Sequence, residues 1–152
     1  MNTEVTSLQA EYDELQNLFS GLEYRYSFIN DDDVLEAFSL MRESSALLAN
    51  YEQLSAQAYA IVATYERLAK ATEARRSCEL SPKPTDGARR ACFDEDVIKA
   101  WNEYASIVKI QKYIDTNARF LSRMYFDSKM LVENCYRKER KPVGDNKVVG
   151  RV

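Results

Sequence analysis

Leu40, Leu47, Leu54, Ile61 and Leu68 recur every seven residues through a stretch that holds neither glycine nor proline. Ser44, Tyr51, Ala58 and Tyr65 fill the alternate positions. Alternating steps of three and four mark a helix packed along one narrow stripe. Asn30-Asp31-Asp32-Asp33 supplies capping and acidic N-terminal chemistry, so the predicted helix starts near Asp33 and runs to about Arg76. At 1.5 Å per residue such a helix is roughly 60 Å long. It needs an equally long partner, in the same chain or another. Small Ser44 and Ala58 beside large Tyr51 and Tyr65 imply interdigitation with that partner.

Two further segments carry the same period. Val5, Leu8, Tyr12, Leu15, Phe19, Leu22, Tyr26 and Ile29 form an N-terminal heptad helix over residues 1–30, with Gly21 as a point where it kinks or splits. Pro82, Pro84 and Gly87 place a loop at 77–93, with Thr85 or Asp86 capping a short turn. A third helix is predicted from Asp94 to about Arg140 on a stripe of Ile114, Ala118, Leu121, Tyr125, Ser128, Val132 and Cys135, led in by Val97, Trp101, Tyr104 and Val108. The expected fold is therefore all-α. It is a long antiparallel helical hairpin over 31–141 with an additional N-terminal heptad helix, coiled-coil-like and oligomeric, followed by a flexible basic tail at 142–152. Leu8, Leu15, Leu22, Leu40, Leu47, Leu54, Ile61 and Leu68 are the predicted oligomerisation residues of a homo-oligomer.

Composition narrows the chemistry. The chain has no histidine, which removes Ser-His and Cys-His nucleophiles and histidine metal sites. No glycine-rich phosphate loop is present, and no CxxC pair points to zinc. Cys78, Cys92 and Cys135 are an odd set, expected to be reduced thiols in the cytoplasm; a Cys78–Cys92 bridge would need an oxidising compartment. The N-terminus carries no signal-peptide pattern, and no apolar run is long enough for a membrane span. The expectation is a cytoplasmic, non-catalytic protein with no cofactor and no metal. An enzyme would need a carboxylate site that the sequence does not single out.

The net charge of −3 hides an asymmetry: residues 1–74 carry −9 and residues 75–152 carry +6. Arg75, Arg76, Lys83, Arg89 and Arg90 gather at the expected hairpin tip, and Arg137, Lys138, Arg140, Lys141, Lys147 and Arg151 near the C-terminus. The five tip cations are the predicted nucleic-acid-binding residues, concentrated by oligomerisation into a surface for a phosphate backbone. Trp101, Tyr104 and Phe120 are candidates for base stacking. The same residues also read as a solvated loop and, for Trp101, as core.

Over about residues 46–136 the layout resembles the UvsY-type recombination mediators of tailed phages. ALLANYEQLSAQAYAIVATYERL is similar to that family's first long helix and ATEARR to its basic end. DEDVIKA at 94–100 opens the next helix after a variable loop, and FLSRMYFDSKMLVEN at 120–134 resembles the closing segment. The resemblance implies a ring-forming protein that binds single-stranded DNA and loads a RecA-like recombinase, in the host cell cytoplasm if phage-encoded. Arg75 matches the family's Lys-x-Arg cluster, but Glu73 stands where its lysine would be. The alternative reading is a coiled-coil protein–protein interaction module (scaffold, assembly factor or inhibitor) with no nucleic-acid role.

Overall fold

A computed structural model describes residues 3–139, all of whose regular elements are helices: α1 (Thr3–Ser27), α2 (Val34–Leu80), α3 (Pro84–Ala91) and α4 (Glu95–Glu139). Residues 140–152, which include the expected basic tail, lie outside the described residues. α2 begins where the aspartates imply. Asp33 is its N-cap, and its carboxylate accepts the Glu36 backbone N–H at 3.1 Å.

α2 and α4 run antiparallel along each other. Ser55 and Tyr59 donate to Asp115, Trp101 donates to Glu73, and Arg76 donates to Asp94, so α2 numbers rise as α4 numbers fall. α1 runs back along α2 and parallel to α4. Its C-terminal Arg25 clamps the start of α2, reaching Glu36 at 2.7 Å, Glu43 at 2.8 Å and the Ser39 hydroxyl at 3.0 Å. That guanidinium holds the Glu43 carboxyl below its usual range.

The three heptad stripes meet one another. Leu8, Leu22, Leu40, Leu47, Leu54, Ile107, Ile114 and Leu121 are buried in one core, with Leu15 and Ile61 half-buried against it. Aromatic edges join the helices: Phe19 lies 6.2 Å from Tyr51 and 5.6 Å from Phe120 between ring centroids. One polar layer crosses all three. Asn117 donates to Gln16 at 2.6 Å and to the Tyr51 hydroxyl at 3.2 Å. Seven of the eight residues expected to build an oligomer are thus engaged within one chain, and their heptads alone no longer require a second copy. The eighth, Leu68, is 55% exposed, because α1 reaches back along α2 only as far as about Thr64.

Two local expectations change. α1 is continuous through Gly21, which does not split it. The segment 77–93 is not simply a loop: α2 continues to Leu80, and Pro84 starts the eight-residue α3. Proline at the first helical turn is compatible with a helix, because the N–H it lacks has no intrahelical acceptor there. Gly87 faces α2 at a separation that admits no side chain, since a Cβ there would stand 2.2 Å from the Ser77 carbonyl oxygen.

The two glycines therefore predict opposite outcomes. Gly21→Ala, with nothing within 4 Å of the added methyl, is expected to stabilise the fold by about 0.5–1 kcal/mol. Gly87→Ala forces α3 off α2 and is expected to cost about 1–3 kcal/mol. Urea unfolding followed by circular dichroism measures both.

Candidate nucleic-acid interface

The five tip cations are brought together, but mostly with carboxylates. Arg76 gives two bonds to one Asp94 oxygen, at 3.0 and 2.6 Å, and a third to Glu79 at 2.7 Å. Asp94, with 10% of its side chain exposed, is the residue that fixes where α4 begins, since it also accepts the Asp96 backbone N–H. Arg89 and Arg90 share Asp86 at 3.2 and 3.0 Å. Arg75 lies 3.8 Å from Glu79. Lys83 is the N-cap residue of α3 and makes no ion pair among the described residues. Between Glu73 and Asp96 the chain carries five bases and six acids, so the tip is not the positive surface that the basic run implies.

The proposed stacking residues are occupied as well. Trp101 donates its indole N–H to Glu73 at 3.1 Å and packs edge-on against Tyr104. Glu73, where the resembling family has a lysine, thus anchors the α2–α4 contact. Phe120 is packed in the core against Phe19 and Tyr26.

A longer run of positive charge lies on α4. On the side of α4 turned away from Ile107, Ile114, Leu121 and Met124, ten positions follow at steps of four and three: 98, 102, 105, 109, 112, 116, 119, 123, 126 and 130. All ten are exposed. They read Ile, Asn, Ala, Lys, Lys, Thr, Arg, Arg, Phe, Met, with four cations and no carboxylate. Lys112 and Arg119 make no ion pair and no side-chain hydrogen bond among the described residues. Lys109 sits 5.9 Å from the centroid of the exposed Tyr113 ring. Arg123 lies 3.6 Å from Asp127 and is 76% exposed; like the comparably exposed Arg75–Glu79 and Arg89–Asp86 pairs of the tip, this pair neutralises its cation weakly. Asp127 is also the acceptor of the Tyr26 hydroxyl, whose pKa burial and that carboxylate both raise. Asp115, the nearest acid on the other flank, is held toward α2 by Ser55 and Tyr59.

Lys109 to Arg123 cover about 21 Å of helix. No block of sequence shows the stripe, because its cations are spread among core residues. Applying the heptad period to the polar positions reveals it.

Cys78, Cys92 and Cys135 are free thiols; Cys92 donates to the Ala88 carbonyl and Cys135 to that of Asp31. No metal-binding cluster occurs among the described residues, and no described helix is long and apolar enough to cross a membrane.

The Arg76 hydrogen bonds depress the pKa of Asp94. A carboxylate with a lowered folded pKa contributes stability in full above its ordinary value of about 3.9, and loses it as pH falls through the lower folded value. Asp94→Asn removes that dependence. Its melting temperature is expected to fall less steeply than that of the wild-type chain below about pH 4, read by thermal denaturation across a pH series. Among known proteins, no family model, curated protein or solved structure matches the chain.

Proposed function

We propose that the chain is a non-catalytic helical protein that binds single-stranded nucleic acid along the outer face of α4. The observation that carries this reading is the stripe itself: ten exposed positions with four cations and no acid. A straight row of cations tracks one phosphate backbone. The exposed Phe126 and Met130 within it and Tyr113 beside it offer apolar surface to unstacked bases. In this reading the phosphate contacts are Lys109, Lys112, Arg119 and Arg123. Arg76, Arg89 and Arg90 hold the tip together, and Arg75 and Lys83 are peripheral.

The resemblance to UvsY-type mediators adds the biological role of loading a recombinase on single-stranded DNA, by a coiled-coil-like homo-oligomer in the cytoplasm. The charge on α4 supports the binding half of that role. A second reading, a protein–protein module, is favoured by a different surface, a groove between α1 and α2 lined by Glu4, Glu11, Glu14 and Glu43.

Four phosphate contacts on a single strand give a salt slope of about −2.8, so affinity for oligo-dT is expected to fall about 50-fold between roughly 50 and 200 mM salt. Fluorescence anisotropy reads this directly. The double variant Lys112→Glu, Arg119→Glu is expected to bind at least ~10-fold more weakly at the lower salt and to show a shallower slope. Arg75→Glu with Arg89→Glu is expected to leave both nearly unchanged. Absence of binding at about 50 mM salt, or equal losses from tip and stripe variants, removes the stripe as the site.

A further inference from the structure

Opposite α4, across the core, α1 and α2 leave a continuous groove. It runs from Glu4 and Thr64 at one end to Arg25 and Glu43 at the other. Its floor is apolar, from Leu15, Leu18 and Leu22 on α1 and Leu47, Leu54 and Ile61 on α2. Its lining acids are Glu4, Glu11, Glu14 and Glu43, and its one cation, Arg25, is taken by Glu36 and Glu43. Gly21 opens this groove, with nothing within 4 Å of where a Cβ would stand. Leu18 is exposed although it lies on the floor. A groove with an apolar floor and an acidic rim fits an amphipathic helix whose charged residues are basic.

We infer that the α1–α2 groove receives the basic outer face of α4 from a second copy of this chain. The two surfaces are complementary in charge and in length. From Glu4 to Arg25 the groove spans about 31 Å, the same as Lys109 to Met130 on α4. Glu11 and Glu14 meet a stripe without carboxylates, and Phe126 and Met130 extend that stripe with apolar side chains for the floor. Groove and stripe lie on opposite sides of one bundle, so a single chain cannot close the contact on itself. The contact is head-to-tail, and repetition makes a ring or a filament. It reuses the outer edges of Leu15, Leu22, Leu47, Leu54 and Ile61, heptad residues that the chain otherwise packs against its own core.

The inference shares its basic stripe with the nucleic-acid reading, but assembly is measured without DNA, so either can fail alone. Light scattering at about 50 mM salt is expected to show oligomers of the wild-type chain that dissociate near 0.5 M, where charges are screened within a few ångström. Glu11→Lys with Glu14→Lys removes the groove and leaves the stripe. Arg119→Glu with Arg123→Glu removes the stripe and leaves the groove. Each variant alone is expected to be monomeric, with unchanged circular dichroism. Their equimolar mixture is expected to stop at a one-to-one dimer, because only one productive contact remains. The groove variant is expected to retain oligo-dT binding, and oligo-dT is expected to dissociate wild-type oligomers by competing for the stripe. A monomeric wild-type chain at about 50 mM salt overturns the inference and leaves the groove to a foreign basic helix. Self-association of either variant, or a mixture that stays monomeric, overturns it equally.

Discussion

The length mismatch between α1 and the hairpin governs the rest of the molecule. α1 has 25 residues and α2 has 47, so the third helix covers only about half of the surface that the α2–α4 pair exposes. Where α1 lies, the stripes of three helices close on one another. Beyond it, the same α2 period runs out of partner, and Leu68 faces water. The chain answers at the far end with a different device. α3 folds back on α2, burying Ala91 and Gly87. Ala69 and Val97 are also buried in this half, and the Arg76–Asp94 bonds tie the end of α2 to the start of α4. Small residues at these contacts let backbones approach where no large apolar residue remains to fill the space.

The same division explains where charge is structural and where it is free. Arginines at the two helix junctions are spent on holding elements together: Arg25 joins α1 to α2, and Arg76 joins α2 to α4. Each makes three hydrogen bonds to side chains on neighbouring turns or helices. Arg89 and Arg90 answer Asp86 within α3 itself. Among the described residues no element packs on α4's outer face, and Lys112 and Arg119 have no structural partner there. A sequence block that counts as basic and a surface that is basic are therefore different things in this chain.

The sequence made the period legible and the contacts of that period illegible. The heptads located three helices, and the Asp33 cap located the start of α2, because both signals are local. The destination of the leucines is a tertiary question. Three stripes in one chain are enough to close a core, and nothing in Leu40 or Leu54 states whether the opposing stripe belongs to the same molecule. α3 was masked by Pro84 and Gly87, which usually break helices. Proline in the first turn and a glycine pressed against the Ser77 carbonyl are the two settings in which they do not. Gly21 is the reverse case: its cost is local, and α1 runs on through it unbroken.

The polar layer of Gln16, Tyr51 and Asn117 connects the core to both candidate surfaces. Apolar heptads alone tolerate slips of α4 by one repeat, since one leucine or isoleucine replaces another in the same hole. A slip of seven residues would carry Asn117 away from both acceptors and leave three partly buried polar groups without partners, a penalty of about 1–3 kcal/mol for each. The layer therefore favours one register and one rotation of α4 against α1 and α2. That rotation points Lys109, Lys112, Arg119 and Arg123 outward, and that register sets the stripe at the height of the groove on the far side. A core asparagine thus specifies how the two charged faces are offset along the bundle, which any head-to-tail contact must match.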